Sequence, residues 1–437
     1  MEGLALTDPY SRSRERLYAV VAYEDPYVQP LILESLSKLY PRLTLLSTKP
    51  PLTAESDEPN LAPILPYGDI NLLNITAYES IDFAFADTHR DSCLVNSYVV
   101  RKALVRKHFL SATVDAWTAK RPESVLKGHV KRSEAFEVDF AEFLDDSLVE
   151  AFDLRESLDK NEGRDPRGGA GDAGPKEPHQ RDWWILKPSM SDRGQGIRLF
   201  SSMEELQNIF DEWEADVPSS DDGADDSGED DDYVVASHLR HFVAQPYIHP
   251  PFLVSNRKFH IRTYVLCLGR LKVYVYRRML ALFAARDYAP PWESEDLDTH
   301  LTNTCLQSSP DDATVRLFDD LPLDEGMKWD VQRQISEVTG ELFEAAARSM
   351  PVHFQPVGNA FEVFGLDFLV DGAGKAWMLE VNAFPDFKQT GGELKGLVGG
   401  FWDECLRASV GSFFGVEAVG EGSGDLALVR DIELGGR

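Results

Sequence analysis

Cysteine is scarce in this chain, and its distribution excludes several kinds of site. The 437 residues include four cysteines, and no two of them form a Cys-x-x-Cys pair. Zinc ribbons and dithiol redox centres need closely spaced cysteines, so the sequence argues against both. We therefore expect incidental, buried thiols in a reducing compartment.

Long hydrophobic runs are also missing. Even the apolar stretch YVYRRMLALFAAR is broken by arginines, and the N-terminus has no apolar signal core. A membrane-spanning helix needs about 20 consecutive apolar residues. We therefore expect no membrane contact and a location in the cytosol or nucleus, with the cytoplasm preferred.

Positive charge is in short supply. The chain has 44 lysines and arginines against 74 aspartates and glutamates, which gives a net charge of −30. Such a chain does not attract nucleic acid by bulk charge. Part of the deficit is local, in an acidic Ser/Gly-rich insertion at 214–232. We predict this insertion, and a second loop at 155–182 that is rich in Gly, Pro and charge, to be disordered.

The first hundred residues alternate between strand-like and helix-like segments. Residues 17–24 and 43–46 read as strands, and the apolar spacing at 26–39 reads as a helix. This β-α-β order predicts a small α/β domain, and NSYVVRKALVRKHFL at 96–110 follows as a basic helix. For the whole chain we predict an α/β (α+β) fold with a flexible lead-in at 1–16, an N-terminal α/β domain at 17–105, a central domain at 106–246, a C-terminal, mostly antiparallel sheet domain at 247–415, and a loose tail at 416–437.

A β-hairpin near the C-terminus carries the strongest chemical signal. In FEVFGLDFLVDGAGKAWMLEVNAFP, two apolar runs flank a turn-forming DGAGK, and Asp367 lies inside the first run. Glu380 and Asn382 are two residues apart on the second strand and so point the same way. Solvated acids seldom lie inside such apolar strands. We expect the three side chains to converge on a hard cation such as Mg²⁺; the alternative is polar hairpin residues that face water.

A glycine-containing turn follows the strand WWILK. The turn is PSMSDRGQGI, and Lys187 closes the strand before it. Gly194 and Gly196 permit close approach of the backbone, so N–H groups of the loop could cradle phosphate. The P-loop spacing and the G-x-G-x-x-G pattern are both absent. The alternative is a hairpin turn that happens to contain two glycines.

The stretch RKFHIRTYVL is a strand in strict alternation. Lys258, His260 and Arg262 share one face, and Phe259, Ile261 and Thr263 share the other. Three basic groups in a row repel one another unless an anion lies over them, and a nucleotide or a carboxylate substrate would do this. The alternative is an exposed basic face paired with nearby acids.

Two shorter segments add weaker signals. QPYI at 245–248 ends a strand before a Pro-Pro turn, and its backbone either faces an adenine or is a plain interdomain linker. HLTN at 300–303 is a polar cluster that an N-capping Thr or Asn would explain equally well.

Taken together, these pieces resemble the ATP-grasp enzymes, and among them the tubulin-tyrosine ligase (TTL and TTL-like) family. The matching segments are WILKPSMSDRGQGI, QPYI, RKFHIRTYVL, YVYRRMLALF, HLTN and the late hairpin, together with LVNSYVVRKAL in the N-terminal half. The resemblance covers about 17–415 and implies the ATP-grasp architecture. It also implies ATP and Mg²⁺ as cofactors.

The resemblance further implies roles for the matched side chains. Lys102 and Lys187 would contact the phosphates of the nucleotide, and the Arg193-Gly194 loop would cover them. The adenine would be contacted by Gln245, Pro246, Tyr247 and Ile248. The residues beside the nucleotide would be Lys258, His260, Thr302 and Asn303. The metal would be held by Asp367, Glu380 and Asn382. The chemical step would rest on Lys187, Arg262, Arg277 and Glu380, with Arg262, Arg277, Thr302 and Asn303 near the substrate carboxylate and the γ-phosphate.

The implied reaction joins a protein carboxylate to a free amino acid through an acyl phosphate. Within the family, tyrosine is the first expectation and glutamate or glycine the next, with a tubulin tail as the expected acceptor. The family motif usually has Asp where this chain has His260, and a histidine cannot supply the fixed negative charge of that Asp, so we expect nucleotide binding to be altered. The alternatives are a catalytically weak or inactive nucleotide-binding scaffold in a cytoplasmic assembly such as a P-body, and an ATP-grasp ligase that acts on a small metabolite.

Overall fold

Three β-sheets organise the part of the chain that the structure describes. The computed structural model describes residues 16–46, 49–53, 58–67, 70–164, 174–189, 196–215, 240–294, 296–302, 314–390 and 394–434. The sheets follow one another along the chain as an N-terminal, a central and a C-terminal sheet. The C-terminal sheet is completed by strands from the last quarter of the chain.

The N-terminal sheet is parallel, with strand order β2-β1-β3-β4. Its elements are β1 (Leu17–Ala22), α1 (Val28–Leu39), β2 (Thr44–Leu45), β3 (Asn71–Thr76), α2 (Phe83–Thr88) and β4 (Cys93–Val95). The predicted β-α-β order is present. The carboxylate of Asp25 accepts the N–H groups of Tyr27 and Val28 and so satisfies donors at the start of α1. The buried face of α1 packs into a core shared with the C-terminal sheet.

Three short helices then lead to the central sheet: α3 (Lys102–Val105), α4 (Lys107–Thr118) and α5 (Leu126–His129). The prediction of one helix over 96–110 is wrong. The backbone at Arg106 is extended, with φ −101° and ψ 121°, and it separates α3 from α4. The side chain of Asn96 bonds to both backbone groups of Thr76, which holds this stretch against β3 instead of in a helix.

The central sheet is antiparallel, with order β5-β8-β6-β7. Its elements are β5 (Glu134–Glu137), α6 (Leu144–Ser147), α7 (Phe152–Asn161), β6 (Trp184–Pro188), β7 (Arg198–Phe200), α8 (Met203–Ala215) and β8 (His241–Pro246). It has an apolar core of its own, which includes Trp184, Phe200, Phe210 and Phe242.

The predicted disordered loop at 155–182 is wrong at its start, because α7 continues to Asn161. The buried amide of Asn161 donates to the carbonyls of Asp182 and Ser201, and this anchors both ends of the connection. Residues 165–173 of this loop lie outside the described residues, and so does the acidic insertion from 216 onward.

The C-terminal sheet is antiparallel in all of its described pairings and is built on β10 and β14. Its elements are β9 (Leu253–Val254), β10 (Arg257–Leu268), β11 (Lys272–Tyr276), β12 (Leu280–Phe283), α9 (Leu297–His300), β13 (Val315–Leu317), α10 (Glu325–Ser349), β14 (Phe361–Val370), β15 (Ala376–Ala383), α11 (Lys395–Phe414) and β16 (Leu426–Asp431). Alternation along β10 sends Ile261 and Val265 into a core with α10, and Tyr264 and Leu266 into a core with α11.

The prediction of a loose tail at 416–437 is wrong for its middle part. Strand β16 pairs antiparallel with β11 at the edge of the C-terminal sheet. Ile432 just beyond it is 4% exposed and exchanges backbone hydrogen bonds with Leu271. Burial of this side chain and the strand pairing fix the segment.

Two expectations from composition can be compared with the described part of the chain. Cys93, Cys267 and Cys405 are free and buried there, as expected, and Cys305 lies outside it. No described helix is long and apolar enough to cross a membrane.

Candidate functional site

A cleft separates the central sheet from the C-terminal sheet. Its apolar walls are Ile185 and Ile197 on one side and Leu369 and Leu379 on the other. The remaining lining residues are Lys187, Gln245, Pro246, Tyr247, Ile248, Lys258, His260, His300, Leu301, Thr302, Asp367 and Glu380. The cleft thus brings together eight of the predicted nucleotide contacts and two of the three predicted metal ligands.

Lys187 lies at the end of β6, beside Gln245 on β8. The Lys187 ammonium donates to Oε1 of Gln245 at 2.9 Å. The Gln245 amide nitrogen donates in turn to the Ser133 hydroxyl at 3.1 Å. Both ends of the Gln245 side chain therefore position Lys187 in this structure, and Ser133 is a participant that sequence spacing gave no reason to select.

Tyr247 links the hinge after β8 to the opposite wall of the cleft. Its N–H donates to the carbonyl of Trp183 at 2.8 Å and so is not available to a base. Its hydroxyl accepts from the Lys258 ammonium at 3.1 Å and lies 3.0 Å from Nδ1 of His300. The Lys258 ammonium is also 4.5 Å from the centre of the Tyr247 ring. The sequence predicted that the backbone of Tyr247 contacts the adenine, whereas in the structure its side chain also contacts residues of the cleft.

The two lysines of the cleft have depressed pKa values. Burial lowers the pKa of Lys187 to about 8, although Glu380 opposes the shift. Burial, together with the charge of Lys187, lowers the pKa of Lys258 to about 7. Burial disfavours an ammonium that lacks a full anionic partner. A ligand that brings negative charge, such as a polyphosphate, would supply the missing partner.

The basic face of β10 is buried. Lys258, His260 and Arg262 are at most 7% exposed, so the alternative of an exposed basic face is wrong. Nδ1 of His260 is 2.5 Å from the Thr302 hydroxyl, and Nε2 points toward Asp367, 3.6 Å from Oδ1. Burial lowers the pKa of His260, partly opposed by Asp367.

Arg262 forms an ion pair with Asp367. The two residues are direct partners across β10 and β14, and the guanidinium contacts both carboxylate oxygens, at 2.5 and 3.0 Å. Burial alone would raise the pKa of Asp367, but Arg262, His260 and hydrogen bonds outweigh burial and hold this pKa below its ordinary value. Asp367 therefore stays ionised, as a metal ligand must.

The three predicted metal ligands lie together. Asp367 pairs with Glu380 across β14 and β15, so the two side chains are neighbours. The Asn382 amide nitrogen donates to Oδ2 of Asp367 at 3.4 Å and to Oε1 of Glu380 at 3.3 Å, and a half-turn of the amide would present its oxygen there instead. Two adjoining carboxylates repel unless a proton or a cation lies between them. Two carboxylates and an amide are the oxygen donors that Mg²⁺ prefers, so these residues fit the ion.

Some predicted site residues do not join this group. Lys102 is exposed at the start of α3, and Arg277 is exposed just beyond β11; neither lines the cleft. The other three predicted contacts, Arg193, Gly194 and Asn303, lie outside the described residues.

One feature of the cleft breaks simple alternation. The pairing of β14 with β15 shifts after Asp367, so that Phe368 lies opposite Met378 and Leu379 is left without a partner. This bulge lets the neighbours Leu379 and Glu380 both reach the cleft. Strict alternation would have placed them on opposite faces.

A second buried acid was also missed. Glu362 on β14 is 1% exposed and pairs with Nε of Arg101 at 2.9 Å. Arg101 in turn stacks on the Tyr78 ring at 3.8 Å and immediately precedes Lys102. Burial raises the pKa of Glu362 to about 7 in spite of Arg101. A charged residue inside an apolar strand was the available signal.

Comparison with known sequences gives related proteins over most of the chain. The profile of the "Tubulin-tyrosine ligase family" matches residues 150–415. The "Probable tubulin--tyrosine ligase C12B10.04" of Schizosaccharomyces pombe is 37% identical over 433 residues, which cover 98% of this chain and 99% of that protein. The "Probable tubulin--tyrosine ligase PBY1" of Saccharomyces cerevisiae is 40% identical over 434 residues, 94% of this chain. The match spans only 54% of the Saccharomyces protein, about half its length.

A more distant relative and a solved structure extend the comparison. The "Probable tubulin polyglutamylase ttll-9" of Caenorhabditis elegans is 28% identical over 220 residues, 46% of each chain. The C-terminal domain of K. lactis Pby1 superposes with a TM-score of 0.68 and 34% identity, covering 96% of this chain and all of that one. That protein is described as an ATP-grasp enzyme that interacts with the mRNA decapping enzyme Dcp2.

Proposed function

The chain belongs to the tubulin-tyrosine ligase family and has the ATP-grasp fold, and on this premise we propose that it is an ATP- and Mg²⁺-dependent ligase that forms an amide between a protein carboxylate and a free amino acid. One observation carries the proposal. Asp367, Glu380 and Asn382 adjoin one another at a cleft that also contains two lysines with depressed pKa values. Cations and metal-binding carboxylates side by side suit a metal–triphosphate ligand.

The proposed reaction has two steps. An oxygen of the acceptor carboxylate attacks the γ-phosphorus of ATP, ADP leaves, and an acyl phosphate forms. The amine of the amino acid then attacks the carbonyl carbon, the C–O bond to phosphate breaks, and the amide and inorganic phosphate are released. A carboxylate is a poor electrophile, and phosphorylation turns its oxygen into a good leaving group.

This chain's residues would contribute to both steps. Lys187 and Lys258 would offset charge on the phosphates, with Lys187 held in place by Gln245. The Asp367, Glu380 and Asn382 side chains would hold Mg²⁺, which would neutralise phosphate charge and orient the γ-phosphate. Arg262 would keep Asp367 ionised and aligned. Lys102, Arg193, Gly194, Arg277, Thr302 and Asn303 remain proposed contacts of nucleotide or substrate.

For the substrates we propose tyrosine first and a tubulin tail as acceptor, in the cytoplasm. Two relatives of high coverage are named as probable tubulin–tyrosine ligases. The relative named as a polyglutamylase matches less than half of the chain. Glutamate is therefore the second choice of amino acid, and glycine the third.

A second candidate is a nucleotide-binding scaffold in a cytoplasmic assembly such as a P-body. Two observations favour it. The K. lactis relative is described as interacting with the decapping enzyme Dcp2, and His260 occupies the position where the family usually has an aspartate. The scaffold would bind Mg-ATP but form no amide.

The test is incorporation of labelled tyrosine, glutamate or glycine into purified tubulin in the presence of Mg-ATP, with Glu380→Gln as the control. Incorporation by the wild type alone supports the ligase and identifies its amino acid. ATP binding without incorporation of any of the three into tubulin or into total cell protein favours the scaffold.

A further inference from the structure

His260 has a buried ring nitrogen with no hydrogen-bond partner among the described residues. The ring is 2% exposed. Nδ1 lies 2.5 Å from the Thr302 hydroxyl, while Nε2 is unsatisfied and faces Oδ1 of Asp367 at 3.6 Å. A buried polar atom without a partner is costly and rare in proteins. A bound ligand that contacts Nε2 would satisfy this atom.

The surroundings of the unsatisfied Nε2 atom indicate which kind of ligand would fit it. If Nδ1–H donates to Thr302, Nε2 presents a bare lone pair toward Asp367, and only a cation or a donor could satisfy it. If Nε2 carries the proton instead, 3.6 Å is too long for a hydrogen bond to Asp367. Metal-ligating histidines commonly donate their second ring N–H to an oxygen, as the Thr302 contact allows.

We propose that His260 supplies a nitrogen ligand to the divalent cation of this site, so that the protein prefers Mn²⁺ to Mg²⁺ more strongly than a variant with the family's aspartate. The inference rests on the proposed metal–nucleotide function. Imidazole suits transition metals, whereas Mg²⁺ favours carboxylate, carbonyl and water oxygens. A ring nitrogen added to the oxygen donors of this site therefore shifts selectivity toward Mn²⁺.

The distances are compatible with a shared ion. Two donors about 2.1 Å from one ion, at 90–120° to each other, lie roughly 3.0–3.6 Å apart. His260 and Asp367 are at the upper end of this range. Oδ1 of Asp367 also accepts from Arg262, and a carboxylate oxygen has a second lone pair for a metal. No three His, Cys, Asp or Glu side chains in the described ranges already converge as a metal site, so Glu380 would have to move toward the ion to join His260 and Asp367 as a ligand.

The experiment is pulsed EPR of Mn²⁺ bound with a non-hydrolysable ATP analogue to the full chain labelled with ¹⁵N-histidine. We expect ³¹P coupling from the nucleotide and ¹⁵N coupling from a histidine. In His260→Asp the ³¹P coupling should persist and the ¹⁵N coupling should vanish. His300, which also lines the cleft, provides the matched control, because His300→Gln should retain the ¹⁵N signal.

The outcomes separate this inference from the proposed function. Coupling to ³¹P without ¹⁵N in the wild type overturns the ligand role of His260 and leaves the nucleotide site standing. Absence of both couplings, with no Mn²⁺–nucleotide complex, overturns the proposed function together with this inference. A competition titration adds a second readout: the preference for Mn²⁺ over Mg²⁺ should fall roughly tenfold in His260→Asp, and an unchanged ratio contradicts the proposal.

Discussion

Arg262 and Asp367 face each other across adjacent strands, and the guanidinium contacts both oxygens of the carboxylate at 2.5 and 3.0 Å. Both side chains are almost fully buried. The resemblance suggested a substrate-facing arginine, but in this structure Arg262 is the partner of Asp367, the carboxylate that we propose as a metal ligand. The ionised state of Asp367 thus depends on its neighbour across the sheet.

This pair should be essential to stability. Arg262→Gln should lower the free energy of unfolding by about 3–5 kcal/mol, because it leaves a buried carboxylate without its partner. Urea denaturation measures the change. The double variant Arg262→Leu/Asp367→Leu should recover much of the loss, since no buried charge remains. Arg333→Gln, which breaks the exposed contacts to Asp330 and Glu337, is the control and should cause no measurable change. An equally small effect of Arg262→Gln would refute this account.

Glu380 should be needed for turnover and not for folding. Glu380→Gln should reduce Mg²⁺-dependent ATP turnover by at least roughly 100-fold, because an amide cannot supply the charge that offsets the metal and the phosphates. The melting temperature should change little, since Glu380 is only partly buried. The exposed Glu142→Gln provides a matched control. Undiminished turnover in Glu380→Gln would rule out the metal assignment.

Nucleotide binding should take up protons near pH 8. The pKa values of Lys187 and Lys258 are about 8 and about 7 because burial disfavours their charged forms. A bound polyphosphate favours the charged forms and raises these pKa values, so ATP affinity should fall as the pH rises through this range. Calorimetry in two buffers of different ionisation enthalpy measures the uptake.

Two variants test whether the lysines of the cleft take up these protons. Lys258→Met should lose part of the uptake, whereas Lys120→Met, at an exposed position, should not. Binding without any proton uptake in the wild type would mean that the lysines are already fully charged.

Glu362 should make stability depend on pH. Burial raises its pKa to about 7 in the folded protein, so between its ordinary value and 7 the folded state binds more protons than the unfolded state. Stability from this group is therefore present at low pH and is lost as the pH rises toward 7. The stability difference between wild type and Glu362→Gln should fall by roughly 3 kcal/mol from pH 4.5 to pH 8. A constant difference across this range would exclude the shift.

The parts of the site that were predictable from the sequence are those governed by strand alternation. Glu380 and Asn382 share a face because they are two residues apart, and Lys258, His260 and Arg262 do so for the same reason. The burial of that basic face could not be predicted, because alternation places the residues between them in the core and leaves the basic face open to either interpretation. The hairpin itself followed from its turn residues.

Other features depend on pairing register or on distant contacts. The Arg262–Asp367 contact joins residues 105 positions apart, and no local spacing specifies it. The bulge at Leu379 overrides alternation at the residue next to Glu380. Strand β16 forms because it pairs with the edge strand β11 and because the side chain of Ile432 is buried. The sequence of this short segment, which polar residues flank, predicts neither the pairing nor the burial.

The most direct test of the proposed ligase is the fate of the acceptor's carboxylate oxygen. An acceptor peptide with ¹⁸O in its carboxylates would be incubated with the enzyme, Mg-ATP and the amino acid, and the released phosphate analysed by mass spectrometry. Passage through an acyl phosphate predicts one ¹⁸O atom in inorganic phosphate for each amide formed. Amide formation with unlabelled phosphate, or ADP release with no amide from any of the three amino acids, would contradict it.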